Sequence, residues 1–146
     1  MARSLAELAK EASPEAVSLA RAVLEQDVAD REWALQIGPS LAQRDVARLL
    51  GRSEQAASKD TRLLRIHNRD GRPVYPVFQF DGRRQKPGVA SVVKTLAGVL
   101  EPLTVASWFT GPNRALGGRA PIEALDDGDI DATVAVARRL ANRAST

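Results

Sequence analysis

The chain of 146 residues has the length of one ordinary domain, or of two small modules that share a core. Its composition, with 44% hydrophobic and 27% charged residues, is typical of a soluble globular protein, and no apolar run approaches the ~20 residues of a membrane-spanning helix. The absence of cysteine excludes disulfides, thiolate metal sites and a cysteine nucleophile, and His67 is the only histidine. No signal sequence follows Met1, so we expect a cytoplasmic protein.

The basic residues are concentrated in the middle of the chain. Residues 1–38 hold four basic and seven acidic residues (−3), residues 39–95 hold twelve and five (+7), and residues 96–146 hold five and six (−1). Arginine accounts for 17 of the 21 basic residues, and its planar guanidinium suits phosphate and carboxylate groups. This asymmetry favours a central polyanion-binding segment, with a solvated arginine-rich surface as the alternative.

The first predicted element is a long helix. Ser13-Pro14-Glu15 is typical of a helix start, Val17, Leu24 and Val28 recur at helical spacing, and Gly38-Pro39 ends the pattern. The twelve residues before it fit either a short helix or a frayed terminus.

Two short helices are predicted next, over about 40–50 and 54–64. The first begins with a capping box at Ser40 and Gln43, and the second is capped by Ser53. Small residues occupy the places where the two helices of a helix-turn-helix cross and turn: Ala47, Gly51, Ala56 and Ala57.

The outward face of the second predicted helix carries polar and basic side chains at positions i, i+3, i+4 and i+7: Gln55, Ser58, Lys59 and Arg62. A recognition helix needs such groups to contact base edges and phosphates in the major groove of double-stranded DNA. The alternative is an ordinary helical hairpin with a solvated polar face.

A β-hairpin is predicted directly after this helix. Its strands would cover residues 64–67 and 74–80, joined by a turn at Asp70-Gly71, and Pro76 predicts an edge strand because it lacks an amide proton. A hairpin in this position is a wing. We expect Arg69 and Arg72 at its tip to contact the minor groove or phosphates.

The chain from Gly88 onward is predicted to be helical, without a basic face. The predicted fold is therefore mainly α with a small β-hairpin: an N-terminal helical segment (1–38), a winged helix-turn-helix (39–87) and a helical module (88–146).

Asp127, Asp129 and Asp131 alternate like calcium ligands, but the glycine and glutamate of a calcium loop are missing. We expect these acids to stabilise the start of the last helix, and we predict no metal or other cofactor.

Residues 108–128 combine an aromatic helix end with glycines and prolines at fixed offsets: Trp108-Phe109, Pro112-Asn113, Leu116-Gly117-Gly118, Pro121-Ile122 and Leu125 before Gly128. This pattern resembles the signature of the Xre/MbcA/ParS toxin-binding domain, over roughly residues 88–143. The glycines and prolines also suit tight turns, so a purely structural role is the alternative.

The resemblance implies a helical domain, often dimeric, that binds and blocks a RES-type toxin that consumes NAD⁺, beside DNA-binding helices that repress the operon. It suggests six partner-binding candidates: Trp108, Asn113, Arg114, Leu116, Arg119 and Ile122. The sequence thus predicts a homodimeric DNA-binding antitoxin rather than an enzyme. The alternative is a solitary winged helix-turn-helix regulator or nucleoid-associated protein whose C-terminal domain serves dimerisation or another protein partner.

Overall fold

The computed structural model describes residues 2–145, apart from the side chains of Trp33 and Gln36. The chain divides into two compact units, residues 1–35 and residues 36–146. The α-helices are α1 (Leu5–Glu11), α2 (Pro14–Ile37), α3 (Gln43–Leu50), α4 (Glu54–Lys59), α5 (Val89–Ala97), α6 (Pro102–Thr110), α7 (Pro121–Asp126) and α8 (Ile130–Ala144). The strands are β1 (Ser40–Ala42), β2 (Ile66–His67), β3 (Pro73–Pro76), β4 (Phe80–Asp81) and β5 (Arg84–Gln85), and 3-10 turns cover Val77–Gln79 and Arg114–Leu116. No helix within the described residues is both long and apolar enough to cross a membrane.

The N-terminal unit (residues 1–35) contains α1 and most of α2. Ser4 and Glu7 form a capping box at the start of α1, which decides the sequence alternative in favour of a short helix. The hydroxyl of Ser13 accepts a hydrogen bond from the Ala16 amide at 3.2 Å and so caps α2, which confirms the predicted long helix. None of the side chains described in this unit is buried.

Helices α3 and α4 are joined by a three-residue turn. Gly51 ends α3 in the left-handed conformation with φ of 67°, and Ala47 and Ala57 are buried where they were predicted to face inward. Two expectations were wrong. Ala56 is exposed, and the capping box at Ser40 does not form because residues 40–42 form strand β1 instead.

The predicted hairpin is present as β2 and β3, but it belongs to a three-stranded antiparallel sheet of order β1-β3-β2. Strand β3 is therefore central, so the prediction of an edge strand from Pro76 was wrong. Pro76 lies at the end of β3 opposite Ser40, where the ladder stops and a missing amide proton costs little. Strands β4 and β5 form a second hairpin, which was not predicted from the sequence.

The side chain of Gln79 holds the segment after α4 against the strands. It is fully buried, its Oε1 accepts from the Leu64 amide at 2.8 Å, and its Nε2 donates to the carbonyls of Leu64 and Pro76 at 2.9 and 3.1 Å. These bonds satisfy backbone groups that have no strand partner at this point. The packing around this segment is completed by a cluster of Val46, Leu63, Tyr75 and Phe80.

The helices after β5 belong to the same compact unit as the sheet. Helix α5 packs on α8, and the rings of Phe78 and Phe109 lie 5.5 Å apart between centroids. Lys86 forms an ion pair with Asp126 at 3.0 Å. The predicted fold class, mainly α with a small β-hairpin, is confirmed. The domain boundary placed between residues 87 and 88 stays a prediction.

Candidate nucleic-acid and partner interfaces

The outer face of α4 presents two of the predicted DNA-contacting residues. Gln55 and Lys59 are both exposed, and their spacing of four places them on one side of the helix. Ser53 caps α4 by accepting a hydrogen bond from the Ala56 amide at 3.1 Å, and buried Ala57 holds the opposite side. This short helix therefore has a fixed inner side and a polar outer side.

Ser58, the third residue of the predicted stripe, is half-buried. Its hydroxyl donates to the carbonyl of Gln55 at 2.8 Å, and the Ser58 carbonyl accepts from Nη1 of Arg65 at 2.6 Å. The Ser58 hydroxyl proton is thus already engaged within α4, which leaves the oxygen lone pairs as its means of external contact.

Arg62 does not lie on α4, contrary to the sequence prediction. The helix ends at Lys59, and the backbone of Asp60 is extended. The Asp60 carboxylate accepts a hydrogen bond from the Arg62 amide at 3.0 Å, and such local bonding to the backbone competes with continuation of a helix. Arg62 therefore lies beside the end of α4 rather than one helical turn further along it.

The Asp60 carboxylate also binds two guanidinium groups. Nε and Nη2 of Arg62 lie 2.9 Å from its two oxygens, and Nη1 of Arg52 lies 2.6 Å from one of them. The hydrogen bonds from Arg62, together with that from Arg52, hold the pKa of Asp60 far below its usual range despite its burial. Reciprocally, Asp60 raises the pKa of Arg62. The charge of Arg62 is thus oriented and partly neutralised within the protein.

The turn between β2 and β3 carries Arg69 and Arg72, both exposed. The side-chain oxygen of Asn68 accepts hydrogen bonds from the amides of Asp70 and Arg72, each at 3.0 Å, and Gly71 adopts a left-handed φ of 76°. The turn is therefore well defined, and it holds two basic side chains at the tip of the hairpin.

Two further arginines lie outside the predicted stripe on α4 and the hairpin tip. Arg48 on α3 and Arg83, in the turn between β4 and β5, line one shallow recess with Leu41, Asp45 and Leu49. Neither arginine is among the predicted site residues, although Arg83 was expected to extend the basic surface past Asp81-Gly82. The hairpin that carries Arg83 could have been predicted, because Asp81-Gly82 is the same turn dipeptide as Asp70-Gly71.

The loop of residues 113–119 is closed by its own backbone. The Asn113 amide donates to the Arg119 carbonyl at 3.1 Å, and the Gly118 amide donates back to the Asn113 carbonyl at 2.9 Å. The side chain of Asn113 also accepts from the Ala115 amide at 3.0 Å. Gly117 and Gly118 have φ of 71° and 86°, which confirms the conformation expected of them. Asn113 therefore has a clear role in shaping this loop.

Arg119 joins this loop to the start of α8. Its Nε donates to the Leu116 carbonyl at 2.9 Å, and its Nη1 contacts Asp127 and Asp129 at 2.9 and 2.8 Å. The hydrogen bonds that Arg119 donates to the carboxylates of Asp129 and Asp127 raise the pKa of Arg119. The expectation that the acids cap α8 was wrong for Asp129, since its side chain forms no capping hydrogen bond and binds Arg119 instead.

The remaining partner-binding candidates divide by burial. Leu116 and Ile122 are 3% and 8% exposed, and Leu116 packs with Ala124 and Val136 in the core of the helical module. Trp108 is half-buried against this cluster, and Arg114 is exposed. Of the six candidates, Trp108 and Arg114 offer the most direct surface to another protein.

The C-terminal part of the chain matches a known family. Residues 99–144, which contain α6, α7 and α8, match the model of the antitoxin Xre/MbcA/ParS C-terminal toxin-binding domain. Over these residues the chain is similar to that domain. The resemblance predicted from residues 108–128 is confirmed, and the match to the toxin-binding domain does not extend to residues 1–98.

The fold is also similar to a solved structure. The NMR structure of Rv2175c aligns with a TM-score of 0.60 and 18% sequence identity, covering 70% of this chain and 81% of that chain. At this identity the likeness concerns the fold alone. No curated protein matches the sequence. Within the described residues, no group of histidine and acidic side chains is arranged to hold a metal ion.

Proposed function

We propose that this chain is a cytoplasmic DNA-binding antitoxin that acts as a homodimer and represses its own operon. The observation that carries the proposal is the antitoxin toxin-binding domain at residues 99–144. The proposed role is one of binding rather than catalysis.

For the DNA-binding part, we place α4 in the major groove, with Gln55 and Lys59 directed at base edges and phosphates. Support comes from their exposure, from the net charge of +7 over residues 39–95, and from the two arginines at the hairpin tip. Arg69 and Arg72 then contact the minor groove or the phosphates beside it, as the wing of a winged helix-turn-helix does. Ser58 adds an acceptor.

Arg62 has a different proposed role from the one its sequence position suggested. Its side chain is 53% exposed while Asp60 orients it, so we assign it to a phosphate rather than to a base. Arg48 and Arg83 extend the phosphate-contacting surface along α3. Because such contacts release counterions, DNA affinity should fall with salt by about 0.9 log units per log unit of salt for each contact.

For the partner, we propose a RES-type toxin that consumes NAD⁺. Trp108 and Arg114 would contact it, Asn113 and Arg119 would hold the loop of residues 113–119 in its binding shape, and Leu116 and Ile122 would support that loop from the core. The support is the family domain together with the exposure of Arg114 and the partial exposure of Trp108.

Co-expression with the product of the neighbouring gene tests the partner. We expect the two proteins to co-purify and the complex to consume no NAD⁺. Arg114→Glu should weaken the complex, whereas Arg138→Glu, an equal charge change on an exposed position of α8, should not. A neighbouring gene product that does not bind this chain and does not consume NAD⁺ would overturn the antitoxin proposal.

The second candidate is a solitary regulator or nucleoid-associated protein whose C-terminal domain serves dimerisation or another partner. The family match is restricted to residues 99–144, and residues 1–98 lie outside it. This restriction favours the second candidate. A gene with no toxin neighbour, combined with intact DNA binding, would support this candidate over the first.

A further inference from the structure

Exposed large apolar side chains are concentrated in the N-terminal unit. Seven of the eight that the structure describes lie in residues 1–35: Leu5, Leu8, Leu19, Val23, Leu24, Val28 and Leu35. Their exposed fractions range from 41% for Leu8 to 86% for Leu35. Scattered single apolar residues are normal on a surface, but a concentration of this kind marks an interaction face.

These side chains follow the geometry of α2. Val17, Leu24, Val28 and Leu35 lie along one side of the helix, whereas Leu19 and Val23 point away from this side and are not part of the proposed face. Helix α1 has only seven residues, and an apolar groove between α1 and α2 remains open, lined by residues that include Leu5, Leu8 and Val17. A pair of helices with no buried side chain among those described lacks a core of its own.

We propose that this face binds the same face of a second copy of the chain, so that two N-terminal units form a helical bundle. The inference rests on the homodimer of the proposed function and names its interface, and it stands whether or not the chain binds DNA. Helix α2 is about 36 Å long. Together with α1, an apolar face of this length approaches the size of a standard protein interface, about 800 Å² per partner.

The charge of the unit argues against other occupants. Residues 1–38 carry a net charge of −3, which disfavours nucleic acid and anionic membranes, since helices that lie on membranes are rich in lysine and arginine. A second copy suits the face because the interface is then self-complementary, with leucine and valine supplied from both sides.

The distribution of charge along α2 sets the orientation. Residues 25–35 hold four acids and one arginine, whereas residues 14–24 hold only Glu15 and Arg21. A parallel pair would bring the two acidic halves together, while an antiparallel pair places each acidic half beside a neutral one. The two α2 helices are therefore antiparallel in the proposed dimer.

Sedimentation equilibrium of the full chain, without DNA or partner, tests the proposal. The wild type should have twice the chain mass of 15.7 kDa, and Leu24→Glu with Val28→Glu should give the monomer mass. Ser18→Glu with Ala22→Glu adds the same charge to exposed positions on the other side of α2 and should remain dimeric. A monomeric wild type, including one that assembles only with a neighbouring gene product, overturns the proposal, as does a dimer unaffected by the first pair.

Disulfide cross-linking tests the same face without relying on the solubility of charged variants, since the chain has no cysteine. Mixed chains carrying Val17→Cys and Leu35→Cys should cross-link to each other under oxidation. Leu35→Cys alone should not, because antiparallel helices place the two copies of residue 35 at opposite ends. Efficient cross-linking of Leu35→Cys to itself would overturn the antiparallel arrangement. Loss of DNA binding in a chain that still dimerises would contradict the proposed function and leave this inference intact.

Discussion

The carboxylate of Asp60 accepts three hydrogen bonds from Arg62, two from its guanidinium and one from its backbone amide. The same group ends α4, because the bonds it makes to the residue two positions ahead replace helical ones. One acidic side chain thus determines both the length of the proposed recognition helix and the direction of an adjacent arginine.

Replacing this acid should lower stability. Asp60→Asn removes the charge that faces Arg52 and Arg62, and we expect a loss of about 1–2 kcal/mol, limited by the solvent around the arginines. Urea unfolding measures it. The exposed turn residue Asp70 provides the control, and Asp70→Asn should change stability little.

The pH dependence follows from the lowered pKa of Asp60. An unfolded aspartate titrates near 3.9, so the stabilisation is complete above about pH 4 and is lost as pH falls from there toward the lower folded value. The stability difference between wild type and Asp60→Asn should therefore narrow below about pH 4. A difference that is constant across this range would show that the ion pairs are not its source.

The buried side chain of Gln79 should contribute more to the free energy of unfolding than Asp60 does. Gln79→Leu keeps a similar size but leaves the amide and the carbonyl of Leu64 without their partners, at an expected cost of about 2–4 kcal/mol. Urea unfolding again measures the loss. Gln55→Leu is the matched control at an exposed position, and an equal effect of the two changes would refute the role given to Gln79.

Gly88 precedes α5 at a point where no side chain fits. Its φ is 90°, and a Cβ atom there would lie 2.7 Å from Leu125 Cδ2 and 3.1 Å from Ile130 Cγ2. Gly88→Ala should cost about 1–3 kcal/mol through backbone strain, with a further contribution from the close contact. Gly98, which follows α5 with φ of −81° and open space, is the control. In thermal unfolding, Gly98→Ala should be close to neutral.

The loop of residues 113–119 should depend on Asn113. Asn113→Ala removes the cap on the Ala115 amide and should lower stability by about 1 kcal/mol. Asn142→Ala, at an exposed position of α8, should have little effect in the same thermal scan. If the two variants melt alike, the side chain of Asn113 does not support the loop.

The helices and the toxin-binding signature could be predicted because their signals are local. Pro14, Gly51 and the Gly117-Gly118 pair act through the backbone conformation of their own residues, and each was found as expected. Strand β1 could not be predicted, since three residues after a proline carry little periodicity and pair with β3 more than thirty positions away.

The errors at the candidate sites have a related cause. The helical spacing of polar residues predicted Arg62 on α4. The pattern of apolar and polar positions does not reveal that the Asp60 carboxylate binds the backbone two residues further on and so ends the helix. Leu116 and Ile122 fit a family pattern equally well as contact residues or as core, and only the packing of α7 and α8 assigns them to the core. Gln79 is polar in the sequence, and its burial depends on the fold around it.

Fluorescence anisotropy with duplex DNA from upstream of the gene tests whether α4 and the hairpin tip bind DNA. Each of the changes Lys59→Glu and Arg72→Glu should weaken DNA binding about tenfold or more. The double variant should also show a weaker dependence of affinity on salt. Lys94→Glu with Arg138→Glu, which makes the same charge change at exposed positions of α5 and α8, should leave affinity nearly unchanged. Equal affinities of the wild type and the folded Lys59→Glu, Arg72→Glu variant would show that α4 and the hairpin tip do not bind DNA.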